Sequence, residues 1–153
     1  MIPEDLLPGL RRARDLVDRH YAEPLDLDAL AATAGLSKFH FLRCFTEVYG
    51  RTPGVHLAER RIERAQDLLR ATDLTVTQVC ERVGYGGLGT FCRRFREIVG
   101  ESPSAYRARW VAAGPVRIPG CWVFMHGLRD RTPSGSARSE KPDAPRAAGG
   151  SAP

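Results

Sequence analysis

Arginine is the residue type best placed to do chemistry in this chain, and it recurs at a fixed spacing. Of the 23 basic residues, 21 are arginine and two are lysine. A guanidinium offers a planar fork of donors that suits phosphate oxygens and the edge of guanine, whereas an ammonium is a point charge. Arg43 and Arg93 stand 50 residues apart in matching segments, FLRCFTEVYGRTP over 41–53 and FCRRFREIVGESP over 91–103. On a helix, Phe39, Leu42, Arg43 and Thr46 fall at i, i+3, i+4 and i+7 and share one face; Gly89, Cys92, Arg93 and Arg96 are their counterparts. Arginine to guanine O6 and N7 is the commonest specific major-groove contact, and Phe39 or Leu42 can meet a thymine methyl. The other reading of the same residues is that Phe39 and Leu42 complete the core while Arg43 pairs with Glu47.

The residues leading these two segments point the same way. Ser37, Lys38 and His40 precede or open the first, and Gly87, Leu88, Gly89 and Thr90 the second. Helix N-termini present free backbone N–H groups to phosphate. The glycines of GYGGLGTF cost helix stability but permit close backbone approach. His40 reads equally as a phosphate donor or as a plain surface residue.

No constellation for catalysis accompanies them. Cys44, Cys80, Cys92 and Cys121 stand singly with no CxxC pair, which excludes a zinc cluster of the usual spacing and a secreted disulfide framework. Cys121 and His126 lack a third partner for nucleophilic work. No enzyme activity, metal or cofactor is expected. No apolar run approaches the ~20 residues of a membrane helix, and no signal peptide is visible, so a cytoplasmic, nucleoid-associated protein is expected. Formal net charge is +5, unevenly spread. Residues 1–36 carry net −3, 37–61 net +3, 62–81 net −2 and 82–109 net +4. The two basic blocks coincide with the two arginine-bearing segments.

The elements that must position these residues are helical, because apolar residues from 5 to about 110 recur at helical periods with no alternating β-branched run. Thr52-Pro53 and Ser102-Pro103 are cap-plus-proline starts, Thr75 with Gln78 forms a capping box, and Asp26 and Ser37 are further N-caps. Gly35, Gly50, Gly84 and Gly100 are stops. Seven helices are expected near 7–20, 27–34, 38–49, 53–71, 76–83, 88–99 and 103–109. Phe41, Cys44, Phe45, Val48 and Tyr49 form one buried stripe, repeated by Phe91, Phe95, Ile98 and Val99. Upstream, Leu25, Leu30, Ala34 and Gly35 match Leu74, Val79, Val83 and Gly84 at an offset of 49. The repeated unit is a helix–turn–helix. An all-α domain over 5–110 is expected, with the units at 27–49 and 76–99 joined by a helix over 53–71 on which Leu57, Arg61, Ala65 and Leu68 pack inward. Residues 111–129 read as an apolar extension and 130–153 as a disordered tail.

Residues 5–109 resemble the DNA-binding domain of the AraC/XylS family of bacterial transcription regulators. Gly84–Arg107, GYGGLGTFCRRFREIVGESPSAYR, follows the signature of its second helix–turn–helix; Gly87 replaces the usual capping serine. The resemblance implies two subdomains that each insert a recognition helix into the major groove of double-stranded DNA; the length of the 53–71 helix, about 28 Å, lets a monomer read two successive grooves. It assigns base-facing sites to Phe39, Leu42 and Arg43 and to Leu88, Gly89, Thr90 and Arg93. With almost nothing ahead of the first helix, the sequence reads as a stand-alone binder controlled by its abundance, by RNA polymerase or by a separate regulatory protein. The rival reading is a non-specific architectural DNA-binding protein, held by charge rather than by base edges.

Overall fold

The computed structural model describes residues 1–114, so the expectations for 115–129 and 130–153 lie outside the described residues. A short 3-10 turn at Glu4–Leu6 leads into α1 (Leu7–His20), α2 (Leu27–Ala34), α3 (Lys38–Tyr49), α4 (Pro53–Ala71), α5 (Val76–Arg82), α6 (Leu88–Val99) and α7 (Pro103–Ala112). The expected seven helices are there, and α7 continues three residues beyond its expected end.

The starts are held by side chains that satisfy N–H groups the helix leaves unpaired. Asp26 accepts from Ala29 N at 2.6 Å, Thr52 from Val55 N at 3.3 Å and Ser102 from Ala105 N at 3.2 Å. The Thr75 hydroxyl accepts from Gln78 N at 3.1 Å, while Gln78 Oε1 accepts from Thr75 N at 2.8 Å. Helices α2, α3 and α6 end on left-handed glycines at 35, 50 and 100.

Two cores result. The first joins Leu10, Ala13 and Val17 of α1, Leu30, Ala31 and Ala34 of α2, and Phe41, Cys44 and Phe45 of α3. The second joins Ile62, Ala65 and Leu69 of α4 to Leu74, Val79, Cys80, Val83, Phe91, Phe95 and Tyr106. Helix α4 therefore serves both units. Leu57 near its start packs on the first core, and His56 Nε2 donates to Asp18 Oδ1 on α1 at 3.0 Å. Its C-terminal half is a wall of the second.

The apolar stripes differ from expectation at one point each. Val48 is 36% exposed and Ile98 44%, whereas Tyr49 and Val99 pack on their cores. The packed row runs at intervals of four, Phe41–Phe45–Tyr49 and Phe91–Phe95–Val99, with ring centroids 5.4, 4.6 and 5.8 Å apart along it. Rows at i±4 incline to the helix axis, so the residue at i+7 slides off the buried edge. On α4, Ala65 is buried as expected and Leu57, Arg61 and Leu68 are half-buried. The fully buried Ile62 and Leu69 complete that row.

Candidate nucleic-acid interface

Helices α3 and α6 are the second helices of the two repeated units, and each turns one face into a core and the other outward. Outward on α3 is Phe39, 82% exposed. A large aromatic ring left in water at that level completes no core, which removes the alternative reading for Phe39. Leu42 is half-buried and Arg43 is exposed. No ion pair joins Arg43 to Glu47, whose carboxylate lies 3.1 Å from the Met1 amino group. Thr46 uses its hydroxyl on the Leu42 carbonyl, 2.8 Å away.

The lead-in to α3 is partly engaged. Ser37 occupies the N-cap position, yet its side chain makes no capping hydrogen bond. Lys38 Nζ lies 2.9 Å from Asp28 Oδ2, an exposed pair that ties the starts of α2 and α3. His40 is half-buried.

In the second unit, Gly87, Leu88, Gly89, Thr90, Arg93 and Arg96 are exposed and Cys92 is half-buried. Gly89, Cys92, Arg93, Arg96 and Glu97 line one shallow groove along α6. Arg94, which the sequence reading did not single out, holds Glu97 at 3.0 Å, and Arg93 reaches the same carboxylate only at 4.0 Å. Glu97 is thus largely engaged elsewhere, and Arg93 keeps 68% side-chain exposure. Nothing lies within 4 Å of the Cβ position at Gly86, Gly87 or Gly89, and none has a left-handed backbone. The fold itself does not call for glycine there.

Sequence reasoning missed what joins the units. Arg61 on α4 donates from Nε to the Tyr21 carbonyl at 2.6 Å and from Nη2 to the Glu23 carbonyl at 2.9 Å. Its guanidinium stands 5.5 Å from the centroid of Tyr85, in the turn before α6. Burial lowers the pKa of this guanidinium, and Tyr85 opposes that shift. Burial pushes the Tyr85 phenol up, against the pull of Arg61 and Arg94. Burial likewise raises the Cys80 thiol, which donates to the Tyr85 carbonyl at 3.8 Å. The contacts of Arg61 span about 40 residues of chain, and no local spacing encodes them. Among the described residues no cluster of three or more His, Cys, Asp or Glu could hold a metal, and no helix is long and apolar enough to cross a membrane.

Comparison with known proteins fits this geometry. A family profile described as "Helix-turn-helix domain" matches residues 30–109. The chain is 43% identical over 90 residues to the MmsAB operon regulatory protein of Pseudomonas aeruginosa, covering 59% of this chain and 29% of that protein. It is 34% identical over 93 residues to the regulatory protein SoxS of Escherichia coli, covering 61% of this chain and 87% of SoxS. Among solved structures, the DNA-binding domain of the global transcriptional factor AdpA, in complex with a target DNA, superposes with a TM-score of 0.67. That match is 34% identical and covers 70% of this chain and 96% of the other. The chain thus spans less than a third of the length of the MmsAB regulator and most of that of SoxS. With the profile covering more than half of its residues, the chain belongs to the AraC/XylS family of helix-turn-helix transcription regulators.

Proposed function

We propose that this chain is a sequence-specific DNA-binding regulator that reads two successive major grooves as a monomer, with α3 and α6 as its recognition helices. The observation that carries the reading is the pairing of two exposed arginines, Arg43 and Arg93, at equivalent places on the outer faces of two repeated helices. Among the described residues Arg43 has no ion-pair partner and Arg93 has only the distant Glu97. Phe39 and Leu42 beside Arg43, and Leu88, Gly89 and Thr90 ahead of Arg93, supply apolar and backbone contacts to base edges. Ser37, Lys38, His40, Gly87 and Arg96 serve phosphates. The AdpA domain, solved on its target DNA, supports the same reading.

The scale is suitable. The 19 residues of α4 span about 28 Å at 1.5 Å per residue, and side chains plus flanking helices bring α3 and α6 about one DNA turn, 34 Å, apart. Sequencing the DNA that the purified chain enriches from a random pool tests this. A motif of two half-elements about ten base pairs apart is expected. Five extra base pairs turn one element to the far side of the duplex and ten move it a full turn away, so both insertions should reduce affinity to that of one element. Enrichment without a motif would establish the architectural alternative, and survival of the ten-pair insertion would mean that two molecules share the site.

A further inference from the structure

The two units touch by more than the helix that joins them. Residues 21–23 leave the end of α1, where the last carbonyls of a helix lack partners and carry the negative end of its dipole. Arg61 supplies two donors there, to the Tyr21 and Glu23 carbonyls. The same guanidinium faces the Tyr85 ring. The Tyr21 ring packs against the second core and sits 5.9 Å from the Arg64 guanidinium. Beside them, the backbone of Ala22 meets Gly84 so closely that a Cβ on Gly84 would lie 2.6 Å from the Ala22 oxygen. One side chain thus bridges the end of α1, the linker helix and the turn that launches α6.

The repeat shows that this bridge is not needed to fold a unit. At the offset of 49 that aligns Gly35 with Gly84, Leu36 stands where Tyr85 stands. Leu36 packs on its own core, and around Gly35 there is open space. The first unit therefore closes without a tyrosine at this place. Tyr85 also carries position onward, since its ring lies 5.5 Å from Phe91 on α6.

We propose that Arg61 is a positioning residue that fixes the distance and phase between the two recognition helices, and so sets the spacing of half-elements the chain accepts. Long helices bend, so α4 alone would let the units swing; a second attachment off its axis stops that. The role calls for arginine, because two diverging carbonyls and a ring face need a planar fork that lysine cannot supply. The proposal rests on the two-groove reading above.

The test uses the full chain with Arg61→Met, Arg61→Lys and Tyr85→Leu, the last placing at 85 the residue that the first unit already tolerates at 36. Each is measured on the selected bipartite site, on the same site with one base pair added or removed, and on a half-element. One base pair turns a half-element by about 34° and shifts it by about 3.4 Å. The wild-type chain should lose about tenfold or more in affinity, since a rigid scaffold then forfeits its second contact. Arg61→Met should lose less than about threefold on the shifted sites, bind the half-element as wild type does, and bind the best bipartite site more weakly. Arg61→Lys should fall between them. Residual dipolar couplings without DNA give a second readout: one alignment frame should fit α1–α3 and α5–α6 in the wild type, and two should be needed in Arg61→Met. Variants that keep the wild-type spacing profile and a single frame overturn the proposal while leaving the DNA reading intact. A wild-type chain that selects no bipartite site overturns both.

Discussion

The carbonyl of Ala22 occupies the space that a side chain at Gly84 would need, with only 2.6 Å between that oxygen and a Cβ built on Gly84. Gly84 also holds a φ of +91°. Its repeat partner Gly35, at φ +72°, has nothing within 4 Å. Gly35→Ala should cost only the left-handed backbone penalty, about 1–2 kcal/mol. Gly84→Ala should cost at least about 1 kcal/mol more, because backbone on both sides must move. Urea denaturation of the two variants compares them directly, and equal losses would mean that the α1 exit does not press on the second unit.

Arg43→Ala and Arg93→Ala should each weaken binding to the selected site by about 1–3 kcal/mol and relax base preference in different half-elements. Neither guanidinium is tied closely into the fold, so melting temperatures should stay within a degree or two. Phe39→Ala should behave similarly, losing affinity without stability, whereas Phe45→Ala, from a fully buried position, should cost about 3–5 kcal/mol of stability. Footprinting and thermal melts separate the two kinds of loss. Unchanged base preference in both arginine variants would refute the assignment of these faces.

Gly89→Ala offers a sharper contrast. The position is helical, exposed and open, so alanine should stabilise the chain by about 0.5–1 kcal/mol. Its methyl would stand on the face assigned to DNA, so affinity should fall as stability rises. A variant that is more stable and binds as well as wild type would show that no base or phosphate approaches that backbone.

Alkaline pH should destabilise the second unit. Burial raises the pKa of both Cys80 and Tyr85 in the folded chain. The folded state then holds a proton that the unfolded state has released, so stability falls as pH climbs past the unfolded value. Those values are about 8.5 for a thiol and about 10 for a phenol. Melting temperature should therefore decline from about pH 8.5, more steeply above 10. Cys80→Ala should flatten the first part of that decline and Tyr85→Phe the second. Parallel declines in all three chains would locate the alkaline loss elsewhere.

Much of this molecule is written locally, and that part is legible. Caps such as Thr75 with Gln78 act over three residues, and Phe41 with Phe45 over one turn, so helix bounds and the inward faces follow from spacing. The repeat places Arg43 and Arg93 on equivalent turns without any knowledge of tertiary contacts. What escapes is set by contacts between distant segments. Val48 and Ile98 look apolar and in phase, yet the inclined row of packed side chains leaves them outside. Glu47 lies four residues from Arg43, but the chain terminus takes its carboxylate. Arg61 reads as one more inward position on a helix; its partners are carbonyls 40 and 38 residues away.

Among the described residues the two cores are almost disjoint in sequence: the first draws on residues 2–57 and the second on 62–110, with Tyr21 as the single residue before 62 that packs on the second. During synthesis, which runs from the N-terminus at about 5–20 residues per second, the first unit has its apolar partners among the described residues once Leu57 has left the ribosome. It can then close while α5 to α7 have not yet emerged, leaving the Tyr21 ring without the second core. Arg64 emerges within the next seven residues and stands by that ring; the rest of its cover arrives with the second core. The nascent chain is therefore guarded in stages, and the half that folds first keeps one aromatic landing point for the half that follows.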